Sequence, residues 1–351
     1  MRYVIDVLAP KGWGQTAPNP LVGALLIRDS GIIGEGYHAE FGGPHAEIVA
    51  LQHAGDDARG ATLYVNLEPC NHHGKTPPCT DAIIAAGIAR VVIAGRDPNP
   101  EAAGGAEKLR TAGITVDFGV GEAEALELNA AFLNSFRSDR PWVTLKLAIS
   151  LDGSIAPADR NPAMLTSELS RARVQKMRAA NDAIAVGAAT AAGDDPQLTA
   201  RYDPPPRIPP TRIVFDRSAR LSSQSKLAQT AREVPTLIIT GETTPIPADL
   251  SNLGVQSLPA HDLGDALRQL KTRGINSLMV EGGAGLAASF LGARFVDRLV
   301  IFQAPIILGS GSLNAFSGIA AQRVDDAPGF RVINTELIGD DIMTTYAVEK
   351  Q

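Results

Sequence analysis

The sequence has few cysteines, no excess of basic residues and no long apolar run, and each shortage excludes a class of protein. Two cysteines in 351 residues cannot form the disulfide framework of a small secreted scaffold. The net charge is −6, so neither a nucleic acid nor a membrane surface is the expected partner. Apolar runs such as 299–309 are shorter than the ~18 residues of a membrane helix, and Asp6 and Pro10 interrupt the apolar start. We expect a soluble, cytoplasmic protein without a secretory signal peptide.

The few residues with soft ligand atoms are concentrated in one stretch. Seven of the eight cysteine and histidine residues lie between positions 38 and 79, and only His261 lies outside. Scattered core cysteines and surface histidines would not produce this clustering. The stretch is therefore a candidate metal site.

Strand and helix patterns alternate in the first 120 residues, which predicts a mainly parallel sheet with helices on both faces. The β-rich runs are 24–27, 62–67, 90–95 and 114–119. The helical patterns, each ending in glycine, are 45–55, 79–87 and 106–113, and a further helix is predicted over 122–137.

Turn residues at 138–141 mark the predicted domain boundary, which gives domains 1–139 and 140–351. The Pro-rich stretch 203–210 is a competing boundary, but strand–helix alternation continues on both sides of it, so we interpret it as a surface loop. The first domain has ten basic against seventeen acidic residues and the second has twenty-two against twenty-one. A polyanionic cofactor is therefore better tolerated in the second domain.

His45, Cys70 and Cys79 are the candidate metal ligands. They stand at a predicted helix start, a strand end and the next helix start, from which three side chains can converge, and a helix N-terminus favours the thiolate form of Cys79. Three protein ligands are typical of a catalytic zinc, whose open position holds a water with a pKa near 7. Glu47 points away from His45 on a helix and is suited to carrying a proton from that water to a leaving amine.

Two other interpretations of this stretch remain open. A structural zinc would take His38, His72 or His73 as fourth ligand, or both cysteines could be inert core residues. The general zinc-deaminase pattern is H-x-E followed by P-C-x-x-C. Here HAE and PC are present, but eight residues separate the cysteines.

The segments NPLVGALLI, GEGYHAEFGGPHAE and LYVNLEPCNHHGKTPPCTDAIIAAGIARVVIAGRDPNP resemble the bifunctional deaminase–reductase family of riboflavin biosynthesis, for which the eight-residue spacer is characteristic. The resemblance implies a cytidine-deaminase-like α/β/α domain. It would deaminate 2,5-diamino-6-ribosylamino-4(3H)-pyrimidinone 5′-phosphate at C2, with one catalytic zinc on His45, Cys70 and Cys79 and Glu47 as proton donor. The implied substrate contacts are Asn19, His72, Lys75, Thr76, Asp97 and Asn99.

The chemistry of these contacts agrees with the resemblance. Lys75 and the following turn can hold a phosphate, and Asn19 can pair with a pyrimidine edge. Structural alternatives stay open, since Asn19 before Pro20 can simply start a turn and Asp97 can cap a strand.

The segment 277–291 predicts a strand, a glycine turn and a helix in the second domain. Its G-x-G-x-x-A pattern is a weak Rossmann signal, because no suitable acidic residue follows. Backbone N–H groups at such a helix start can nevertheless hold a pyrophosphate. The alternative is a tight turn that serves packing alone.

The segments TLKLAISLDGSIA, NDAIAVGAATAAGDDPQLTAR and MVEGGAGLAASFL are similar to the reductase domain of the same family. The similarity implies a dihydrofolate-reductase-like α/β fold and an NADPH-dependent reduction of the ribosyl group to ribityl. The implied cofactor contacts are Ala148, Thr190, Asp194 and the turn residues Gly283, Ala284, Gly285 and Leu286. The implied substrate contacts are Lys146, Arg178, Leu198, Arg201 and Glu281.

The residue types of this second set fit their implied roles. Arg178 and Arg201 can donate bidentately to a 5′-phosphate, and Glu281 and Lys146 can bind ribose hydroxyls and assist protonation. Arg178 can alternatively belong to a solvated helix face, because its helix carries several basic residues.

Three positions depart from the family pattern and affect the nicotinamide and adenosine pockets. Met164, counted with the cofactor contacts, stands where the family often has tryptophan. Arg217 replaces the usual serine, and Ser154 stands where Lys or Arg is common. We hypothesise that Arg217, with Arg220, binds the 2′-phosphate of NADPH.

Two other classes of function compete with the two-step enzyme. A nucleic-acid deaminase of the tRNA-editing type shares HAE, but predicts a basic surface and a two-residue cysteine spacer. A single-activity deaminase would carry an inactive, regulatory reductase domain. The expected partners are a phosphorylated pyrimidine substrate and, from the family, further copies of the chain, with no nucleic acid or membrane.

Overall fold

The computed structural model describes residues 1–73, 77–161 and 163–348. The chain forms two compact units, 1–138 and 139–351. None of the helices in the described ranges is both long and apolar enough to cross a membrane. Because the Pro-rich stretch 203–210 is a largely exposed loop inside the second unit, its interpretation as a surface loop is confirmed.

The first unit is built on one sheet with the strand order β2-β1-β3-β4-β5. Its strands are β1 (Gly23–Arg28), β2 (Gly31–Tyr37), β3 (Thr62–Leu67), β4 (Arg90–Gly95) and β5 (Thr115–Phe118). Its α-helices are α1 (Ala46–Ala54), α2 (Cys79–Ala85), α3 (Gly105–Thr111), α4 (Glu122–Leu128) and α5 (Ala130–Ser135), with shorter helical turns at Val4–Leu8, Ala9–Gly12 and Gly55–Ala58.

The prediction of a mainly parallel sheet is only half right in this unit. Strands β3, β4 and β5 are parallel, but β1 is antiparallel to both β2 and β3. Strand β2 was not predicted. Asp29 and Ser30 both have positive φ, 50° and 67°, and form the two-residue turn that folds β2 back on β1.

Gly36 weakens the strand pattern of β2, but the packing of α1 on β2 requires a glycine at this position. A Cβ at this position would collide with the carbonyl oxygen of Ala46 and lie 2.6 Å from the amide nitrogen of Ala50. The glycine thus lets α1 pack directly on β2. This close packing fixes the first turn of α1, where Glu47 lies.

The predicted continuous helix over 122–137 is wrong, because the chain breaks it at Asn129. This residue has φ −105° and ψ 21°, so α4 ends before it and α5 begins after it. Its side chain is buried and bonds to the backbone of Leu21 rather than facing solvent.

The second unit is built on a nine-stranded sheet with the order β11-β10-β9-β8-β12-β6-β13-β16-β15, and β7 pairs separately with β14. The strands are β6 (Trp142–Ile149), β7 (Ser154–Ala156), β8 (Ala183–Gly187), β9 (Thr211–Phe215), β10 (Thr236–Gly241), β11 (Gln256–Ala260), β12 (Ser277–Glu281), β13 (Arg298–Gln303), β14 (Leu313–Asn314), β15 (Phe330–Ile338) and β16 (Asp341–Val348). The helices are α6 (Glu168–Ala179), α7 (Ala188–Asp194), α8 (Lys226–Gln229), α9 (Ala248–Asn252), α10 (Leu263–Thr272) and α11 (Ala284–Gly292), with a 3₁₀ turn at Val324–Asp326.

Strand β12 returns to the middle of this sheet, between β8 and β6. The pairs from β11 through β13 are parallel, and the antiparallel β16 and β15 extend the sheet at one edge. The carboxyl ends of β8, β12 and β6 therefore lie side by side, which is where parallel α/β sheets bind ligands.

Candidate active sites

The three predicted metal ligands converge in the first unit. His45 caps the N-terminus of α1, Cys79 begins α2, and Cys70 follows the end of β3. The His45 Nδ1 atom lies 3.2 Å from Cys79 Sγ and 3.5 Å from Cys70 Sγ, and all three ligand atoms are within 4.8 Å of one another. A tetrahedral zinc with bonds of about 2.0–2.3 Å holds its ligands about 3.5 Å apart, so this set fits zinc.

The alternative of a closed structural site is not supported. Within the described ranges, no fourth histidine, cysteine or carboxylate belongs to the group. His38 packs edge-on against His45 at 5.5 Å, but its two ring nitrogens already contact the Pro44 carbonyl oxygen and the Asn19 amide. The three-ligand set thus leaves a position for the reaction.

The N-terminus of α2 acts on Cys70, whereas the sequence analysis expected it to favour the thiolate form of Cys79. The Cys79 side chain hydrogen-bonds to Cys70 and lowers the pKa of the Cys70 thiol to about 4. The backbone N–H of Cys79, the first of α2, also points at Cys70 Sγ at 3.4 Å. The helix N-terminus therefore stabilises negative charge on the neighbouring cysteine, while hydrogen bonding and burial raise the pKa of Cys79.

Glu47 occupies the first turn of α1, two residues beyond the capping His45. Its side chain is buried, and burial raises the pKa of its carboxyl group above the ordinary value. A carboxyl group that keeps its proton closer to neutral pH can accept and return a proton during turnover.

A cavity of about 240 Å³ opens beside the metal ligands. Four of the six predicted substrate contacts line it, namely Asn19, His72, Asp97 and Asn99. Lys75 and Thr76 lie outside the described residues.

The geometry shows where the side chains of these predicted contacts lie, while their substrate contacts stay a prediction. The Asn19 side-chain nitrogen lies 3.1 Å from His38 Nε2 at the cavity wall, so Asn19 does more than start a turn. Asp97 accepts a hydrogen bond from the backbone N–H of Asn99 at 2.9 Å, which forms a local turn just after β4, and it lines the cavity as well. Burial raises the pKa of Asp97, and the buried Nδ1 of His72 has no hydrogen-bond partner in the described residues.

Several cavity residues were not assigned from the sequence. Among them are His38, Phe41, Glu68 and Phe132. His38 belongs to the histidine cluster, which was the available signal. Phe132 lies on α5, more than fifty residues beyond the second cysteine, and no motif spacing connects it with the site.

Predicted substrate residues of the second unit meet at the carboxyl ends of β6 and β12. Lys146 and Glu281 are register partners on these neighbouring strands. Arg178 reaches them from α6 and forms a bidentate ion pair with Glu281, at 2.5 and 2.9 Å. Its Nη1 also donates to the carbonyl oxygen of Thr199, which ties it to the segment carrying Leu198 and Arg201.

This arrangement changes the interpretation of Arg178. Its side chain is only 13% exposed, so the solvated-face alternative is wrong. We expected the guanidinium of Arg178 to donate two hydrogen bonds to a phosphate. It donates them to Glu281 instead, because a buried carboxylate requires a counterion. Arg201 is exposed, and its Nη1 donates to Gln197.

The charged groups at this site also shift one another's pKa values. Burial lowers the pKa of Lys146, an effect that Glu281 partly offsets. Burial alone would raise the pKa of Glu281, but Arg178 and Lys146 outweigh it and hold that pKa below its ordinary value. An ammonium group with a lowered pKa gives up its proton more readily.

The glycine turn after β12 fits a dinucleotide phosphate. Gly283 caps the nine-residue helix α11, whose first backbone N–H groups have no partner within the helix. A Cβ at Gly283 would lie 3.0 Å from Thr190 Oγ1, whereas one at Gly285 would point into open space. Thr190 and this turn, two predicted cofactor contacts, are therefore adjacent.

The other predicted cofactor residues are more scattered. Ala148 lies on β6, two residues beyond Lys146 and on the same face, and Asp194 ends α7, where burial raises its pKa. Arg217 follows β9 and donates from Nη1 to the His261 carbonyl oxygen. Met164 is 83% exposed.

Sequence comparisons cover both units. Residues 2–95 match the cytidine and deoxycytidylate deaminase zinc-binding region, and residues 141–344 match the RibD C-terminal domain. The chain is 43% identical over 342 residues to the riboflavin biosynthesis protein RibD of Aquifex aeolicus, with 97% of this chain and 95% of that protein covered. It is 40% identical to RibD of Escherichia coli, with 95% of each covered.

Solved structures agree with the sequence matches. Acinetobacter baumannii RibD superposes with a TM-score of 0.85 at 34% identity, covering 99% of this chain and 98% of that one. A Thermotoga maritima diaminohydroxyphosphoribosylaminopyrimidine deaminase/5-amino-6-(5-phosphoribosylamino)uracil reductase superposes with a TM-score of 0.86 at 39% identity, covering 99% and 97%. The predicted α/β fold classes, cytidine-deaminase-like and dihydrofolate-reductase-like, are confirmed.

Proposed function

Because this chain belongs to the RibD family of riboflavin biosynthesis enzymes, we propose specific substrates and residue roles for its two activities. The protein is a bifunctional enzyme with a zinc-dependent deaminase domain and an NADPH-dependent reductase domain. The alternative with one inactive domain is not favoured. The reaction order that we propose is deamination followed by reduction, with domains at 1–139 and 140–351.

The first reaction is the hydrolytic deamination of 2,5-diamino-6-ribosylamino-4(3H)-pyrimidinone 5′-phosphate at C2. Water replaces the C2 amino group, and ammonia leaves. His45, Cys70 and Cys79 hold the zinc, which when bound lowers the pKa of water to about 7 and supplies hydroxide at neutral pH. Glu47 takes up the proton of the attacking water and returns it to the departing nitrogen.

The remaining deaminase residues bind and orient the substrate. Asn19, held by His38, pairs with the pyrimidine edge. His72 offers to a polar group of the substrate its ring Nδ1, which has no partner among the described residues. Asp97 and Asn99, which also line the cavity, bind ribose hydroxyls. Lys75 and Thr76 hold the 5′-phosphate.

The second reaction converts the ribosyl group into a ribityl chain. NADPH, when bound, supplies a hydride to C1′, and the bond from C1′ to the ring oxygen breaks. Lys146 donates the proton that this oxygen requires, which its lowered pKa favours. Glu281 accepts from the ribose hydroxyls, and Arg178 keeps Glu281 ionised and in place. Arg201 and Leu198 complete the substrate pocket.

The observation that carries the deaminase proposal is the three-ligand metal set beside the buried Glu47 and the cavity. A substrate panel tests it: the phosphorylated diaminopyrimidine, its dephosphorylated form, cytidine monophosphate and a tRNA anticodon stem-loop. We expect ammonia from the phosphorylated diaminopyrimidine at a rate at least about tenfold above the others, since a lost charge-assisted contact costs about 1.5–3 kcal/mol. Comparable deamination of the tRNA stem-loop would instead support a nucleic-acid deaminase.

Arg217→Ala tests the proposed recognition of the NADPH 2′-phosphate. We expect the preference for NADPH over NADH to fall by about ten- to a hundredfold, because charge-assisted hydrogen bonds contribute about 1.5–3 kcal/mol. The ratio of kcat/KM values with the two cofactors measures it. Arg232→Ala, which removes another exposed arginine of the same unit, is the control, and an unchanged ratio in Arg217→Ala refutes the role.

We further propose that the enzyme works in the cytoplasm, where Cys70 and Cys79 remain reduced and able to bind zinc. Its partner is the small phosphorylated substrate rather than a nucleic acid or a membrane, which the acidic excess of residues 1–139 supports. Family membership supports a homo-oligomer.

A further inference from the structure

Asn129 interrupts the helical stretch after β5 and has no role in the reactions described above. It is 4% exposed and lies between α4 and α5 with non-helical dihedral angles. It also lies well beyond residues 2–95, the range that matches the deaminase zinc-binding region. A buried amide side chain requires hydrogen-bond partners. The partners of Asn129 should also account for the interruption of the helix.

Those partners are the two backbone polar groups of Leu21. The Asn129 Oδ1 atom accepts a hydrogen bond from the Leu21 N–H at 2.8 Å, and its Nδ2 donates to the Leu21 carbonyl oxygen at 2.9 Å. Asn66, buried on β3, donates to the same carbonyl oxygen at 2.9 Å and accepts from the Gly23 N–H at 2.8 Å. We call these four hydrogen bonds the amide clamp.

The amide clamp replaces a strand ladder that the segment before β1 does not have. Ladder pairing of β1 begins at Gly23, so the half-buried backbone of Leu21 has no partner in the β1 ladder and bonds to the two amides instead. Asn19 is two residues away, across Pro20, and the fixed φ of proline limits how far these residues can move independently.

The amide clamp also connects two chain segments that line the deaminase cavity. Asn19 and Pro20 belong to one segment, and Phe132, on α5 directly after the helix break, belongs to the other. An amide that bonds to Leu21 from the helix break therefore sets the position of Asn19 relative to α5.

We propose that Asn129 is a positioning residue of the deaminase, which places Asn19 against the pyrimidine through the backbone of Leu21. This inference rests on the proposed substrate contact of Asn19. It extends the deaminase site to a residue that contacts neither the metal nor the cavity.

Asn129→Asp tests the proposal with almost no change in size. The second carboxylate oxygen faces the Leu21 carbonyl oxygen, so an attractive contact becomes a repulsive one. We expect kcat/KM for deamination to fall about ten- to a hundredfold, which a displacement of about 1 Å can cause, and to fall mainly through KM. Zinc content and reductase activity on the deaminated substrate should stay at the wild-type level, which reports that both units are folded.

Leu133→Ala is the matched control, because it removes a buried side chain of α5 and leaves the amide clamp intact. It should lower the thermal midpoint without raising KM. Asn129→Ser, which shortens the side chain without adding charge, is the second variant if aspartate prevents folding. If Leu133→Ala raises KM as much as Asn129→Asp does, general destabilisation is enough to raise KM, and the proposal is overturned.

A double-mutant cycle with Asn19→Ala separates this inference from the function on which it rests. If Asn129 acts through Asn19, Asn129→Asp should change kcat/KM by less than about twofold in the Asn19→Ala background. If Asn19→Ala impairs deamination but Asn129→Asp retains the wild-type KM, or if the two losses multiply independently, the positioning role is wrong while the substrate contact stands. If Asn19→Ala leaves deamination unchanged, the substrate contact itself is wrong and the inference falls with it.

Discussion

Replacing Glu47 with glutamine is expected to lower the rate of ammonia release by about 10²- to 10⁴-fold while the protein keeps its zinc, because general acid–base catalysis contributes about that factor. Glutamine has the same shape but cannot take up a proton from water and return it to the amine. Glu47 is buried in the first turn of α1, and His45, Cys70 and Cys79 form the metal group without it. Ammonia release and zinc per chain, measured on the same preparation, are the two readouts.

Glu40→Gln is the control for this experiment, since Glu40 is an exposed glutamate seven residues earlier. It should leave both readouts unchanged. Loss of zinc from Glu47→Gln would mean that Glu47 is a metal ligand. Retention of zinc together with near wild-type ammonia release would mean that another group transfers the proton.

Replacing Cys79 with serine should remove the zinc and abolish deamination while the reductase remains active. Cys79 is fully buried and its sulfur lies 3.2 Å from His45 Nδ1, and serine is a far weaker zinc ligand than a thiolate. Removing a residue that only hydrogen-bonds to a metal ligand lowers metal affinity or activity by about 10- to 100-fold. Removing a ligand itself should therefore lower deaminase activity by more than about a hundredfold. Zinc content, ammonia release and NADPH oxidation with the deaminated substrate measure the effect.

His53→Asn, at the exposed end of α1, is the control that changes a residue of the same cluster away from the metal group. Parallel loss of both activities in Cys79→Ser would show that the zinc stabilises the whole chain rather than one site. Full zinc content with full deamination would show that the metal is held elsewhere.

The metal site could be predicted from the sequence because its residues lie close together along the chain. His45, Cys70 and Cys79 stand at element ends whose order fixes their convergence, and the structure brings them within 4.8 Å. The effect of the α2 N-terminus was harder to predict. The position of Cys79 at a helix start was expected to favour its own thiolate form, but the first amide of α2 points at Cys70, which depends on the loop conformation.

The topology was harder to predict where local signals oppose the structure. Strand β2 contains three glycines, which weaken a strand pattern, yet Gly36 is needed because α1 packs directly on it. Periodicity predicted one helix over 122–137, because nothing local marks Asn129 as the partner of Leu21, a residue 108 positions earlier. Long-range contacts of this kind override helix propensity.

Long-range contacts also limited the prediction of the charged residues of the reductase. Arg178 was predicted from residue type to bind phosphate, but the structure commits its guanidinium to Glu281 across 103 positions of sequence. A buried carboxylate on a central strand must be compensated, and the sequence alone does not say which arginine does so.

The central claim is that one chain deaminates the diaminopyrimidine and then reduces the product. Its most direct test is a single reaction of the purified protein with this substrate, in which ammonia and oxidised cofactor are measured together over time. The account predicts ammonia release without NADPH, and with NADPH the oxidation of one cofactor per ammonia after an initial lag. Ammonia release with no oxidation of NADPH, or oxidation that precedes ammonia, would contradict it.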